Sequence, residues 1–570
     1  MKSRSPVARR ARGGALLLAA ALLVGACGSS GKSASPPTTA PWWKGVKVVD
    51  MRGKAENAGE YPEVDVDVTD NRFTPSVLRV DPGTTVSWTN HGKTTHDILK
   101  AIPNQDFGKQ FGTDTLSPTA NYEFRFDKPG VYRYYCSFHG SETGGMVGLV
   151  AVGDVDIDTG QVSSGGAPTH HGTLRVPQQY STIQAAVNAA APGALVLVSP
   201  GVYHEAVQVL PGHENIVLRG TDRNKVILDG QFDTDEPNGV TVQANGVAIE
   251  NMTARNYVSN GFYWRGVTGY RGSYLTSYRT GDYGIYAFDS EVGQFDHDLG
   301  IGSRDASFYI GQCRNCRSTI TDSVGEWSGI GYSGTNAGGD LILANNVFHD
   351  NRVGIVPNSE SGEELSPQRD VVIVGNRVYS NNNIKTPAID IAVTAEGNGI
   401  LVAGGNDDLV EHNLVYDQSE YGIGVIPLPE KVLSPSDPKS QNFEPSNNTV
   451  RDNNVSGSKV ADLGLVLYTN PKDPAKNCFA NNVYGTTSPA HLEQLVPCGA
   501  PASSAFVADI ATLAKLFLGN KPKEVDYKSA PLPSLTPQTN MPDPMTAPAR
   551  PANTGLPVKV DVASITTPTR

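Results

Sequence analysis

Several residue types are scarce in this sequence of 570 residues, and each shortage narrows the class of protein. Charged residues make up 18% and aromatic residues 8%, whereas there are 60 glycines and 39 prolines. This composition favours a turn-rich β protein over a helical one. The apolar run at residues 15–24 is too short to cross a membrane comfortably as a helix. The net charge of −12 argues against nucleic acid as a partner, because the phosphate backbone attracts basic surfaces.

The N-terminus has the pattern of an export signal. Five basic residues and no acidic one precede Cys27, and the apolar run follows the last of them. Small residues lie directly before Cys27, and this resembles the lipobox of bacterial lipoproteins. The resemblance implies a signal peptide over residues 1–27 and a lipid on Cys27. The protein would then be anchored to the outer face of the cytoplasmic membrane, in the cell envelope. The alternative is an ordinary signal peptide with an incidental cysteine. Residues 28–44 are predicted to be a flexible tether.

Cysteine is rare, with six residues in the chain. Thiols of exported proteins tend to pair, so we expect a disulfide between Cys478 and Cys498. For Cys313 and Cys316 we expect either a local disulfide or a stacked pair of buried thiols. Cys136 is left without a partner, and an unpaired cysteine in an exported protein needs a functional reason.

Residues 45–153 show short runs of alternating polar and apolar residues between turn sequences. Residues 64–68 and 122–126 are two of these runs, and Asp81-Pro82-Gly83 is one of the turns. Alternation with a period of two and regular turns predicts a β-sandwich. Residues 154–172 are rich in glycine, serine and threonine, which predicts a linker.

Four residues of this segment form a pattern that suits copper. His96 follows an early strand, Cys136 ends a late strand, and His139 lies three residues further on. Met146 comes next, just before the last predicted strand. A thiolate, two imidazoles and a weak axial thioether are the ligands of a type 1 (blue) copper site. His91, directly after an asparagine, is a poorer ligand candidate than His96.

The pattern resembles plastocyanin- and pseudoazurin-like cupredoxins over roughly residues 61–153. The resemblance implies one type 1 copper ion bound by His96, Cys136, His139 and Met146. Met146 lies seven residues after His139, a longer spacing than in compact plastocyanin-like sites. A backbone oxygen or no axial ligand are therefore the alternatives. The interpretation without a metal is a sandwich with a buried free cysteine and two surface histidines.

From residue 173 onward the sequence repeats with a fixed period. Triplets such as Gly261-Phe262-Tyr263 and Gly284-Ile285-Tyr286 recur at steps near 23 residues. A fixed period predicts a solenoid, and this period is too short for helix-pair repeats. A second row of asparagines, expected to hydrogen-bond one another at the turns, consists of Asn251, Asn346, Asn413, Asn454 and Asn482.

The start of this region, residues 180–187 and 198–203, resembles the opening of right-handed parallel β-helix proteins of the pectin-lyase-like superfamily. The resemblance covers roughly residues 173–500. It implies a right-handed parallel β-helix whose open end is closed by a short helix, which we expect to start at Ser181 as its N-cap. The predicted fold class is therefore all-β, a cupredoxin β-sandwich followed by a β-helix solenoid.

The C-terminal part lacks the repeat. Residues 501–525 are predicted to form a C-terminal helix or cap. Residues 526–570 are rich in proline and threonine, which predicts an extended or disordered tail.

Three features of the solenoid are candidates for function. Tyr263, Tyr286 and Tyr309 are expected to point outward and to form either a strip that binds sugar rings or a stabilising stack. Long loops at residues 357–370, 427–446 and 469–476 are expected on one side of the solenoid. An acidic cluster is either a catalytic or calcium site or, as we favour, a set of turn residues: Asp289, Glu291, Asp296, His297 and Asp298.

These patterns favour a copper-binding envelope protein for electron transfer or copper handling, with the β-helix as a binding scaffold. The expected partners are the membrane, through the lipid anchor, a redox partner protein and a polysaccharide. The alternatives are a carbohydrate-active enzyme (a polysaccharide lyase, epimerase or hydrolase) or a glycan-binding module on the β-helix. Fold alone does not decide among them.

Overall fold

The computed structural model describes residues 42–570 apart from positions 45, 53, 55, 58–61, 102–110, 143, 154, 156, 158–169, 235, 434–439, 511–523 and 554. The predicted signal peptide, Cys27, most of the tether and most of the linker lie outside the described residues. Among the residues described, no helix combines the length and apolar character that a membrane crossing requires.

The N-terminal part of the described chain is a sandwich of two sheets, as predicted. One sheet has six strands, in the order Val49–Asp50, Val77–Val80, Gly144–Val152, Gly130–Ser141, His96–Lys100 and Thr113–Leu116. The other has five, Glu56–Asn57, Pro62–Thr69, Thr84–Asn90 and Asn121–Phe126 in that order, with Arg72–Thr74 paired to Pro62–Thr69. In Pro62–Thr69, Val64, Val66 and Val68 are buried while Asp65 and Asp67 are exposed, because alternate side chains of a strand face opposite sides.

The predicted tether ends earlier than expected. Trp42 and Trp43 pack against apolar residues of the six-stranded sheet, and the Arg133 guanidinium lies 4.0 Å from the ring centroid of Trp43. Two adjacent indoles bring a large apolar area to a surface, which favours docking over a free linker. The tether prediction is therefore wrong for Trp42 and Trp43.

Residues 173–488 form a parallel β-helix with three sheets. The first sheet has twelve strands, Thr173–Val176, Leu195–Val198, Val217–Gly220, Val247–Glu250, Thr268–Ser273, Glu291–Asp296, Ser318–Thr321, Gly338–Ala344, Arg369–Val374, Leu409–Glu411, Thr449–Arg451 and Cys478–Ala480. The second has ten, Gly201–Tyr203, Val226–Asp229, Thr253–Arg255, Thr276–Tyr278, Leu299–Ile301, Val324–Glu326, Val347–His349, Arg377–Tyr379, Leu414–Tyr416 and Asn454–Ser456. The third has eleven, Val207–Val209, Val240–Val242, Phe262–Arg265, Ile285–Phe288, Ala306–Gly311, Ile330–Thr335, Val353–Asn358, Ile400–Ala403, Tyr421–Ile426, Ala461–Leu465 and Thr487–Ser488.

Successive coils pair in register, which explains the sequence repeat. On the third sheet Phe262 pairs with Ile285 and Ile285 with Phe308, and all three side chains lie in the solenoid core. The neighbouring tyrosines belong to a separate cluster outside that core, as the alternation predicted.

An asparagine ladder joins the first two sheets at their corner. The Nδ2 of Asn346 donates to the Oδ1 of Asn376, and the Nδ2 of Asn376 donates to the Oδ1 of Asn413, each at 3.0 Å. Asn413 continues to Asn453 at 3.0 Å, and the row ends at Asn482. The predicted bonding between stacked asparagines is confirmed, with two corrections. Asn453 rather than Asn454 belongs to the ladder, and Asn251 occupies the left-handed turn position before it, with φ 57°.

Short helices and turns close the solenoid. Helix Ile183–Ala189 covers its first end, but its N-cap is Thr182 rather than Ser181, since Thr182 Oγ1 accepts from the Ala185 N–H at 3.0 Å. Helix Leu492–Leu495 packs at the other end. In the predicted C-terminal helix or cap, residues 501–510, 524 and 525 are not helical, and residues 511–523 lie outside the described residues. Elsewhere the structure has helices Asp390–Thr394 and Glu430–Leu433, a 3-10 turn Val562–Ser564, and a hairpin of Leu428–Pro429 with Asn442–Phe443.

Both expected disulfides, Cys313–Cys316 and Cys478–Cys498, are present.

The proline-rich tail lies along the solenoid. The guanidinium of Arg279 donates to the carbonyls of Tyr527 at 2.9 Å and Ala530 at 3.0 Å. The buried Arg219 donates to the carbonyl of Ala547 at 2.6 Å, further along the tail. These arginines supply donors to a backbone that has no sheet partner. The tail is thus extended and held in place.

Candidate metal centre

The three strongest ligand candidates converge at one point of the sandwich. Cys136 Sγ lies 3.5 Å from His96 Nδ1 and 3.8 Å from His139 Nδ1, and the two Nδ1 atoms are 3.2 Å apart. A single first-row ion with bonds of about 2.0–2.3 Å holds its ligand atoms about 3–4 Å from one another. The donor set therefore fits one soft transition-metal ion such as copper.

A bulge in the sheet brings these side chains together. Strands Gly130–Ser141 and Gly144–Val152 are antiparallel, with Tyr135 opposite Val147, but the register then shifts so that Gly140 lies opposite Gly145. Residues 136–139 thus face a single residue of the partner strand, Met146. We call residues 136–140 the ligand segment. A bulge of this kind re-aims side chains away from the regular alternation.

Met146 itself is fully buried and belongs to the same apolar cluster as Cys136 and Phe138. Its position opposite the bulge keeps it next to the ligand segment. Its role as the axial ligand stays a prediction.

A carboxylate that sequence reasoning missed orients His96. Asp70 Oδ1 lies 3.8 Å from His96 Nε2, and it accepts from the Lys93 N–H at 2.9 Å and the Thr94 hydroxyl at 3.1 Å. That hydroxyl is also 3.2 Å from His96 Nε2. A polar partner on the outer ring nitrogen fixes the ring with its other nitrogen toward a metal. Asp70 lies in the turn between strands Pro62–Thr69 and Arg72–Thr74, far from His96 in the sequence, so no local sequence pattern links the two residues.

Asp97, which the sequence reasoning also missed, holds the ligand segment through Ser137. Its carboxylate accepts from the Ser137 N–H at 2.6 Å and from the Ser137 hydroxyl at 2.5 Å. Ser259 of the solenoid donates to the same carboxylate at 3.1 Å. Burial raises the pKa of Asp97 to about 6, even though these hydrogen bonds oppose the shift. Asp97 therefore ties the residue after Cys136 to both the sandwich and the β-helix.

Burial also sets the protonation of the ligands. It lowers the pKa of His139 to about 3, with a smaller contribution from His96, and it lowers the pKa of His96 as well. Both imidazoles are therefore neutral at pH 7 and can donate a lone pair. Burial and the nearby Asp97 raise the pKa of the Cys136 thiol well above its ordinary value. A cation bound between these groups would favour the thiolate, which couples metal binding to proton release.

The tyrosine strip faces the ligand segment rather than solvent. Tyr263, Tyr286 and Tyr309 are 0%, 1% and 2% exposed. The Tyr286 hydroxyl donates to the Phe138 carbonyl at 2.8 Å, and the Tyr263 hydroxyl donates to the Gly140 carbonyl at 3.3 Å. The expectation of an exposed strip is wrong because the sandwich packs on this face of the third sheet. Stacking itself is present, with the rings of Tyr263 and Tyr286 4.5 Å apart and nearly parallel.

The acidic cluster does not form a site among the described residues. Glu291 is ion-paired with Arg317 at 2.7 Å, and Asp298 is buried in the corner ladder, where it accepts from the Leu275 N–H at 2.6 Å. Apart from the copper ligand set, the described part of the chain holds one group of three metal-ligand side chains, Glu411, His412 and Asp452. The preferred interpretation as turn residues holds for Asp289, His297 and Asp298, but Glu291 and Asp296 are the two end residues of a strand. His91 is exposed and lies 3.3 Å from Asp67, away from the ligands.

Two of the predicted long loops contact the sandwich. The Gly362 carbonyl, in the loop at residues 357–370, accepts from Asn71 Nδ2. Glu430, in the loop at residues 427–446, lies 3.4 Å from Lys93 Nζ. These loops contact the domain that carries the candidate metal ligands.

Parts of this chain are similar to known proteins. Residues 62–153 match the family described as copper-binding proteins of the plastocyanin/azurin family. Among solved structures, the A-module of a mannuronan C-5 epimerase from Azotobacter vinelandii is 15% identical, and the match covers 56% of this chain and 93% of that one, with a TM-score of 0.40. A purple cupredoxin from Nitrosopumilus maritimus is 31% identical over 16% of this chain and 99% of its own, with a TM-score of 0.14. A copper-containing nitrite reductase from Thermus scotoductus SA-01 is 27% identical over 19% of this chain and 28% of its own, with a TM-score of 0.15.

Proposed function

Since residues 62–153 form a copper-binding domain of the plastocyanin/azurin family, we propose that this protein is an electron-transfer protein of the bacterial cell envelope. It holds one type 1 copper ion at His96, Cys136 and His139, with Met146 as the axial ligand. The observation that carries this proposal is the convergence of the Cys136 Sγ and the two Nδ1 atoms within 3.8 Å of one another. Copper bound there supplies one-electron redox chemistry.

The protein's own contribution is a rigid ligand set. The bulge fixes Cys136 and His139, Asp70 orients His96, and Asp97 fixes Ser137. Rigid ligands keep the geometry similar in both oxidation states, so little reorganisation accompanies the transfer of an electron. The β-helix serves as the scaffold that supports this segment through Tyr263 and Tyr286.

The experiment is the visible and EPR spectrum of the purified chain from residue 28 after addition of Cu(II). The wild type should develop an intense thiolate-to-copper absorption, and Cys136→Ser should abolish it. His91→Ala, which removes an exposed histidine of the same domain, is the matched control and should keep the colour. A colourless wild type would contradict the type 1 assignment.

The axial ligand has its own test. Met146→Leu should leave a blue protein but shift its absorption and raise its reduction potential, because it removes a weak sulfur donor. An unchanged spectrum and potential would assign the axial position to a backbone oxygen or to no ligand.

The location is a separate part of the proposal. If Cys27 is lipidated, the full-length protein should fractionate with membranes, and Cys27→Ser should release it or block its maturation. Intact-mass measurement of the mature protein reads the modification directly. An activity of the β-helix on polysaccharides stays a prediction, since the tyrosine strip that suggested sugar binding is covered by the sandwich.

A further inference from the structure

A cavity of about 270 Å³ lies where the ligand segment of the sandwich meets the solenoid. The copper ligand His139 and its neighbour Phe138 form one wall. Asp282 and Asp305, from turns of the solenoid, and Glu363, from the loop at residues 357–370, line it from the other side. Both domains thus contribute to one half-open cavity beside a proposed metal ligand.

Three carboxylates of this cavity carry side-chain oxygens without partners. Both side-chain oxygens of Asp282, Oδ1 of Asp305 and Oε2 of Glu363 are buried and accept no hydrogen bond from any described residue. Asp282 is 1% exposed and Asp305 6%. An unpaired polar atom that is removed from water costs about 1–3 kcal/mol, and more when it is charged. Three such side chains around one space indicate that something else occupies it.

The electrostatics of the cavity favour a cation. Glu360 and Asp390 also line it, while Lys93, the one basic residue among the described lining, is paired with Glu430. Burial raises the pKa of Asp282 and Asp305, and the charges of neighbouring acidic residues raise both further. The nearby Arg304 guanidinium opposes both shifts, but it is ion-paired with Glu524 at 2.5 Å, so a bound cation would supply the compensation that the protein does not complete.

The spacing and the walls select the class of cation. Among the described residues, no three lining side chains of the ligand-forming types place their donor atoms within 4.8 Å of one another. The carboxylates are thus spread around the cavity instead of caging a bare metal ion. Phe138, Tyr283 and Leu428 add apolar surface to the wall. Aromatic rings and separated carboxylates suit an ammonium group on a carbon skeleton.

We propose that this cavity is a binding site for an organic cation of the amine class. Its ammonium groups lie at Asp282, Asp305 and Glu363, and its carbon skeleton lies against Phe138 and Tyr283, next to the imidazole of His139. The site goes beyond the electron-transfer function and does not depend on it, because its carboxylates belong to the solenoid.

The test is calorimetric titration of the metal-free chain from residue 28 with 1,4-diaminobutane at pH 7.5. Its neutral counterpart 1,4-butanediol has nearly the same shape and no charge, and CaCl₂ tests a hard metal ion. We expect saturable binding of the diamine and at least tenfold weaker binding of the diol and of calcium. Asp282→Asn and Glu363→Gln should each weaken diamine binding at least tenfold, while Asp65→Asn, on an exposed strand position, should leave it unchanged.

Three outcomes overturn the proposal. Equal binding of diol and diamine would show that charge is not recognised. Calcium binding tighter than diamine binding would assign the cavity to a metal ion. Diamine binding that survives both Asp282→Asn and Glu363→Gln would place the diamine elsewhere. Glu363 lies in a loop, so its variant serves if Asp282→Asn fails to fold. A repeat in Cys136→Ser, which lacks the copper thiolate, keeps this result separate from the fate of the electron-transfer proposal.

Discussion

Two neighbouring patches of the solenoid meet the copper-binding sandwich, and they bury polar groups in opposite ways. In the first, Tyr263 and Tyr286 stack on one another, and each hydroxyl donates to a carbonyl of the ligand segment. In the second, Asp282, Asp305 and Glu363 surround a cavity with oxygens that no described residue bonds.

The difference separates support from recognition. Paired polar groups at a buried contact fix a geometry, because breaking them leaves unsatisfied atoms. Unpaired groups around a cavity cost stability, and proteins tolerate that cost where function needs it. By this criterion the tyrosine patch is a clamp that holds the ligand segment, and the carboxylate patch is a site.

The largest effect should come from breaking the clamp. Tyr286→Ala removes a fully buried ring and its hydrogen bond to the Phe138 carbonyl, and large-to-small changes of this kind cost about 3–5 kcal/mol. We expect a lower midpoint of thermal unfolding and, in the copper-loaded protein, a shifted absorption. Tyr379→Ala is the control, because Tyr379 stacks on Tyr416 on a partly exposed face away from the sandwich. Equal losses in both variants would contradict the clamp.

The next effect concerns Asp70, a carboxylate that has hydrogen-bond partners. Although burial alone would raise it, the neighbouring His96 imidazole and the hydrogen bond from the Lys93 N–H hold the pKa of Asp70 below its ordinary value. Because Asp70 orients His96, Asp70→Ala should weaken copper binding about 10–100-fold. Competition with a chromophoric chelator measures this. Unchanged copper affinity would show that Thr94 alone orients the ring.

Much of this architecture follows from the sequence. The period of the triplets around Phe262 and Ile285 gives both the solenoid and the inward and outward faces, because parallel coils repeat the same environment. The spacing of His96, Cys136 and His139 predicts the ligand set, since two of its members lie on one short segment and chemistry limits the choice of the third.

What the sequence does not reveal depends on contacts between distant segments. The outward direction of Tyr286 follows from alternation, but its burial depends on where another domain docks. Asp70 and Asp97 act on the ligands across turns and strands, with no local pattern to mark them. The cavity carboxylates Asp282 and Glu363 lie 81 residues apart in the chain and look like ordinary turn residues.

Asp408, in the solenoid stack, sharpens the comparison because only one of its two carboxylate oxygens is paired: its Oδ1 accepts from the Val371 N–H at 2.8 Å. Burial raises the pKa of Asp408 to about 7, and its Oδ2 has no partner among the described residues. Asp408 belongs to a second row of stacked polar side chains, separate from the asparagine ladder, since its N–H donates to Asn448 Oδ1 at 2.9 Å. An asparagine there could donate as Asn448 does, so Asp408→Asn should stabilise the protein by about 1–3 kcal/mol.

The gain should depend on pH with a definite sign. The folded protein binds the Asp408 proton more tightly than the unfolded chain, so the wild type loses stability as pH rises from about 4 through 7. The advantage of Asp408→Asn should therefore be larger at pH 8 than at pH 5. Chemical unfolding at the two pH values measures it, and a gain that is the same at both would mean that Asp408 does not titrate in this range.

The smallest effects test the comparison most directly, because they change single polar atoms in the two patches. Tyr286→Phe removes only a hydroxyl and leaves the Phe138 carbonyl unpaired, so it should destabilise the metal-free protein by about 1 kcal/mol. Asp282→Asn replaces a buried carboxyl group whose two oxygens have no partner, so at pH 8 it should leave stability unchanged or raise it, even though it weakens diamine binding. Unfolding curves recorded in one buffer measure the change in the free energy of unfolding for both variants. If the tyrosine patch is a clamp and the carboxylate patch is a site, Tyr286→Phe should lower this free energy and Asp282→Asn should not. If Asp282→Asn destabilises the protein as much as Tyr286→Phe, then the Asp282 carboxylate is a structural contact, and the distinction between the two patches fails.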